Sequence, residues 1–129
     1  MPSAYVIDTH ALVWFLAADE RLSSTVRHLL LGAEENDLEI LVHTIVMAEA
    51  LTIVEKKKVR LTVREMVDAV KETQRLSIVP LDVLVFERML TITPRLELHD
   101  RAIAATCQIY GCPLVTKDEL LTGVVETIW

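Results

Sequence analysis

Short aliphatic runs, each followed by a longer stretch of helical pattern, constrain this chain more than any other feature. Ala4-Tyr5-Val6-Ile7, residues 38–42 and Ser77-Ile78-Val79-Pro80-Leu81 read as strands, the last ended by its proline. Pro113-Leu114-Val115 forms a fourth short strand, and residues 124–129 can supply a fifth. Between them lie helical patterns. Residues 11–16 continue the first strand as an apolar helix, and Ser23 or Ser24 can cap a second through Leu31. Thr44 is placed to cap a helix to about Lys57. Thr62 caps one to about Arg75, with Val63, Met66, Val67 and Val70 at helical spacing. Asp82 opens a helix through Met89 and Leu90, residues 99–110 form another that Gly111 stops, and a short helix follows Asp118. Strands that are apolar throughout and alternate with helices are buried on both faces, which is the mark of parallel βαβ units with right-handed crossovers. The expected fold class is α/β: a three-layer α/β/α sandwich around a short parallel central sheet.

Composition agrees and narrows the options. The chain has 129 residues, few enough for one domain over 1–129, and 52% are hydrophobic, enough for a buried core. The longest apolar run, residues 11–18, falls short of the roughly 20 residues a bilayer-spanning helix needs. Met1-Pro2-Ser3-Ala4 lacks the basic and apolar regions of a secretory signal, so a cytoplasmic protein without a membrane partner is expected. Cys107 and Cys112 match no zinc spacing and read as packing residues. With 13 basic and 19 acidic residues the formal charge is −6, which argues against a passive nucleic-acid binder. It does not exclude an enzyme that meets a phosphodiester through divalent ions.

In open parallel sheets, ligands bind beyond the carboxyl ends of the strands, near a switch in strand order. Asp8 stands at such an end, directly after Val6-Ile7, and Asp118 follows Leu114-Val115 in a similar pattern. If the first and fourth strands are neighbours, these two carboxylates lie close together. Asp100 stands at the start of its helix, where it could be no more than an N-cap; Asp118 could likewise simply cap the short helix after it. Glu49 is the least expected acid. On a helical wheel Ile45, Val46 and Ile53 flank it, so its carboxylate is expected to be buried, where an unpaired charge is costly. A salt bridge to Arg101 would explain it structurally; a metal or catalytic site would explain it functionally, and is preferred. His10, His28, His43 and His99 show no zinc-ligand spacing, and no nucleophile elbow or Gly-rich phosphate loop is present. Trp14 and Phe15 read as core or subunit-contact residues. Lys56-Lys57-Lys58 with Arg60 and Arg64 reads equally as a solvated helix end or as a guide for an RNA backbone.

Taken in order, these segments resemble the PIN-domain ribonucleases. Tyr5-Val6-Ile7-Asp8-Thr9-His10-Ala11-Leu12-Val13-Trp14 looks like their opening strand and helix, and Val46-Met47-Ala48-Glu49-Ala50 like their second acidic element. Leu98-His99-Asp100-Arg101-Ala102-Ile103-Ala104-Ala105-Thr106 is similar to the third, and Leu114-Val115-Thr116-Lys117-Asp118 to the fourth. Within that family the chain most resembles the VapC-type toxins of toxin–antitoxin pairs. The resemblance implies cleavage of RNA dependent on Mg²⁺ or Mn²⁺, a homodimer, and a cognate antitoxin that occupies the cleft. It implies that Asp8, Glu49, Asp100 and Asp118 are the catalytic and metal-binding acids. Asp8 and Asp100 would be direct ligands, with Glu49 and Asp118 acting directly or through water. Thr9 and Thr116 match hydroxyl positions that orient water or phosphate, and Arg101 a supporting residue. Two alternatives remain: a receiver- or phosphatase-like phosphoryl-transfer domain using Asp8 with Thr116 and Lys117, and a non-catalytic PIN-like scaffold that binds RNA or protein.

Overall fold

The computed structural model describes residues 2–129; Met1, the first residue of the segment read for a secretory signal, lies outside them. Five strands run parallel: β1 (Ala4–Ile7), β2 (Glu39–His43), β3 (Leu76–Val79), β4 (Leu114–Val115) and β5 (Thr127–Ile128). Their order across the sheet is β3-β2-β1-β4-β5. Six helices connect them: α1 (Thr9–Leu16), α2 (Ser24–Leu31), α3 (Thr44–Glu55), α4 (Val63–Glu72), α5 (Val83–Met89) and α6 (Leu98–Tyr110). The expected α/β fold with a parallel central sheet is therefore observed, including the fifth strand.

The strand order explains the layers. From β1 the chain steps outward twice, to β2 and then β3, before returning past β1 to β4. Right-handed crossovers made in opposite directions across one sheet place their helices on opposite faces. Accordingly α1, α3 and α4 pack together, while α5 packs on α6. The wholly apolar strands lie between these layers: Val6, Ile7, Val42, Leu114 and Val115 are completely buried. The reversal of direction falls between β1 and β4, paired through Val6 with Leu114 and Ile7 with Val115. That pairing brings the residues after both strands, Asp8 and Thr116, to the same edge.

Local chemistry sets the helix ends, in three places differently from expectation; α4, expected to about Arg75, ends at Glu72 because Thr73 turns extended. Thr62 caps α4 through a reciprocal capping box with Glu65, Ser23 caps α2 and Asp82 caps α5. At α3, however, the cap is His43 rather than Thr44. The wholly buried imidazole at the end of β2 accepts from the Ile45 amide through Nδ1 at 2.9 Å, leaving Thr44 as the first helical residue. α3 ends at Glu55, two residues early, because Lys57 turns into the left-handed region at φ 55°. Gly111 takes the same conformation after α6, at φ 63°, as its position predicts. Among the described residues no helix is long and apolar enough to cross a membrane.

Candidate active site

Two strand ends and two helices meet at the carboxyl edge of the sheet. Asp8 follows β1 and caps α1, its Oδ1 accepting from the Thr9 amide at 2.7 Å. Its Oδ2 accepts from the Thr116 hydroxyl at 2.6 Å, a bond between residues 108 positions apart. Thr116 follows β4 and is nearly buried, and its oxygen in turn accepts from the Asp118 amide at 3.0 Å. Asp118 then accepts from the Leu120 amide at 2.9 Å, capping the 3₁₀ turn Glu119–Leu121. The two acids at the switch point are thus joined through one hydroxyl.

α3 and α6 bring the other two acids. Asp100 lies in the first turn of α6, but the N-cap is Glu97, so Asp100 is not the capping residue. It is 7% exposed, and the His99 imidazole stands beside it, with Nε2 3.3 Å from Oδ1. Burial pushes its carboxyl pKa up; His99 opposes that, while the charges of Asp8, Asp118 and Glu97 add to it. Glu49 corrects the sequence reading. Its side chain is 36% exposed rather than buried, because α3 buries the face of Val46, Ala50 and Val54 and leaves Ile45 and Ile53 at the margin. Nor does it pair with Arg101, whose Nε is buried without a partner. It accepts a long bond from the Thr9 hydroxyl at 3.4 Å and stands 3.9 Å from His99 Nε2.

All four acids line one cleft of about 620 Å³. They do not close on a single point: among the described residues no three of His, Cys, Asp and Glu stand near enough to ligate one ion together. The four acids that the resemblance implies as one metal-binding set therefore share one cleft without meeting at one point. The physical reason is mutual repulsion, together with local amides that hold Asp8 and Asp118 to their own segments, while Glu49 on α3 reaches only the Thr9 hydroxyl of α1. The donor set nonetheless suits a hard divalent cation: every acid offers oxygen, and Asp100 is a buried carboxylate beside like charges.

His99, Lys117 and Trp14 also line the cleft, and of these only Lys117 is a candidate from sequence, in the phosphoryl-transfer alternative. His99 stands among Glu49, Asp100 and Glu97; its residue type had been weighed only against zinc spacing. Lys117 lines the cleft with its Nζ 5.9 Å from the centre of the Trp14 ring. Trp14 itself, taken for a core or subunit residue, is mostly buried yet forms a cleft wall, with Trp129 packed edge-on at 5.9 Å.

The fold and the cleft define a class, an α/β protein with an acidic site at the switch point of a parallel sheet. The chain belongs to the PIN domain family, whose model matches residues 5–125. No curated protein matches it. Solved structures share the fold. One is VapBC2 from Rickettsia felis bound to a DNA fragment from their promoter, with TM-score 0.73, 16% identity, and 98% of each chain covered. A toxin–antitoxin complex from Klebsiella pneumoniae has TM-score 0.71 and 18% identity, covering 97% of this chain and 96% of that one. PAE2754 from Pyrobaculum aerophilum has TM-score 0.65 and 20% identity, covering 99% of this chain and 90% of the other.

Proposed function

We propose that this protein is a single-domain, divalent-metal-dependent endoribonuclease, the toxin of a VapBC-type pair held inactive by a cognate antitoxin. The observation that carries the reading is the cleft itself: acids from four separate segments of the chain share it, and one of them, Asp100, is buried beside like charges. Membership of the PIN family and the toxin–antitoxin complexes among proteins of the same fold support it.

In this reading Asp8 and Asp100 hold Mg²⁺ or Mn²⁺, and Glu49 and Asp118 contribute directly or through water. The bound ion would supply Lewis acidity and lower the pKa of a coordinated water. The chain's own residues do the remainder. Thr116 fixes the Asp8 carboxylate and, through its oxygen, the backbone before Asp118. Thr9 steadies Glu49, and Lys117 places a positive charge at the cleft where a phosphate would enter. A second copy of the chain is part of the proposal: α5 leaves Val83, Leu84, Phe86 and Leu90 exposed, an apolar face suited to a homodimer contact. A cytoplasmic location fits an RNA substrate. The phosphoryl-transfer alternative is less favoured, since β1 ends in a lone Asp8 rather than an acidic pair.

The test is incubation of the protein with single-stranded RNA and Mg²⁺, followed by analysis of the new ends. Water as nucleophile leaves a 5′-phosphate and a 3′-hydroxyl, and Asp8→Asn or Asp100→Asn abolishes the cut while the fold persists. A 2′,3′-cyclic phosphate, or full activity in both variants, would overturn the reading.

A further inference from the structure

An enzyme of formal charge −6 with an acid-lined cleft must still hold a polyanion, and its cations are unevenly placed. Lys56, Lys57, Lys58 and Arg60 fall within five residues that contain no acid. All four are exposed, and none takes part in an ion pair among the described residues. The left-handed turn at Lys57 ends α3 and brings Lys57, Lys58 and Arg60 to the wall of a second groove, of about 540 Å³, which Asp19, Glu20 and Arg21 also line.

That groove adjoins the acidic cleft through a short physical relay. Trp14 walls the cleft, and the Arg21 guanidinium lies over its ring at 5.1 Å. Arg21 walls the second groove and donates to the Lys58 carbonyl oxygen at 3.2 Å. Its own charge is spent on Asp19, which it meets at 2.9 and 2.7 Å, so Arg21 serves as the link and the neighbouring lysines carry the free charge. On the cleft side of the same ring system stands Lys117.

We propose that the groove walled by Lys57, Lys58 and Arg60 is a phosphate track for single-stranded RNA flanking the cut. Resting on the nuclease reading above, this assigns the substrate class as RNA with an unpaired stretch long enough to leave the cleft past Trp14 and enter the groove. The free cations are flexible, solvated point charges, which suit a sequence-independent hold on a backbone rather than reading of bases. An acidic protein segment would meet the same charges, but the Arg21–Trp14 contact links the groove to the cleft where the scissile phosphate would lie, and a continuous polyanion can span both.

The experiment measures binding of a 12-nucleotide single-stranded RNA to full-length protein carrying Asp8→Asn, across a range of salt concentrations. Each lost phosphate contact lowers the slope of log K against log salt by about 0.7 for a single strand. Lys57→Gln with Lys58→Gln is expected to flatten the slope by about 1.4 and weaken binding roughly 25-fold at 0.1 M salt. Arg60→Gln added to that pair takes a further similar step. Lys71→Gln with Arg95→Gln makes the same change in net charge at residues lining neither cavity, and is expected to leave the slope as it was. Equal slopes for the two pairs would overturn the proposal, whichever way both moved. So would polyglutamate displacing the RNA as well as unlabelled RNA does, with the same dependence on Lys57 and Lys58, since the groove would then take acidic protein. Wild-type protein is assayed for cleavage in parallel. Cleavage with equal slopes sinks the track alone, whereas the expected slopes without any cleavage sink the nuclease reading and leave an RNA-binding groove.

Discussion

Replacing Thr116 by Val tests whether the two halves of the sheet edge are coupled as the structure requires. The change keeps the shape of a nearly buried side chain and removes one hydroxyl with two bonds. One is a 2.6 Å donation to the Asp8 carboxylate, and hydrogen bonds to charged groups contribute about 1.5–3 kcal/mol. The other is a 3.0 Å acceptance from the Asp118 amide, a neutral bond of the ordinary kind, near 1 kcal/mol. Asp8 is only partly buried, so water replaces some of the first, and the loss should be about 2 kcal/mol. For a domain of this size a loss of that order lowers Tm by roughly 6–8 °C. Calorimetric melting at pH 7 in the presence of a chelator reads it directly. A double-mutant cycle with Asp8→Ala should return a coupling of about 1 kcal/mol, because the strongest bond is shared. A Tm within a degree of the wild type, or additive effects in the cycle, would show that the strand ends are not joined through this hydroxyl.

Two further outcomes follow from charge and burial. In chelator at neutral pH, Asp100→Asn should melt higher than the wild type while failing to cleave RNA. The raised carboxyl pKa means that Asp100 stabilises the fold fully only below its unfolded value of 3.8 and loses that contribution as pH rises; a lower Tm would refute the buried like-charge account. His43 has the opposite sign. Burial holds its imidazole pKa below the ordinary 6.5, against a partial pull upward from Asp82. Its contribution is complete above 6.5 and is lost as pH falls from there through the lower folded value, so stability should decline on acidification in this window. His43→Gln should start less stable at pH 7, with the α3 cap removed, and show a shallower decline; an unchanged slope from pH 7 to 5 would contradict it.

Much of the fold was legible because its inner strands β1 and β4 are apolar on both faces and its helices are punctuated by Thr62, Asp82 and Gly111, although the edge strand β3 exposes Ser77 and Ile78. Asp8 and Asp118 could be placed from sequence for the same reason: Asp8 directly follows the aliphatic pair Val6-Ile7, and Asp118 stands three residues after Val115, beyond a second such strand end. Glu49 was read correctly as part of the cleft and wrongly as buried. A helical wheel shows which residues are neighbours, whereas the direction in which α3 leans against the sheet decides which of them face inward, and that is a tertiary property. His99 and Trp14 are not legible as site residues because their roles come from neighbours distant in sequence. His99 gains meaning only when α3 brings Glu49 beside it, and Trp14 only when Lys117, after β4, stands 5.9 Å from the centre of its ring. The cap at His43 was missed for a related reason: threonine is the commoner cap by propensity, but the end of β2 pins the imidazole where its Nδ1 meets the Ile45 amide.

Titration calorimetry with Mg²⁺ tests whether Asp8 and Asp100 hold a divalent cation in the cleft that Glu49 and Asp118 also line. The account predicts a saturable heat for the wild type that disappears in Asp8→Asn and Asp100→Asn and weakens in Glu49→Gln and Asp118→Asn, all four remaining folded. Undiminished Mg²⁺ binding in Asp8→Asn and Asp100→Asn would contradict it.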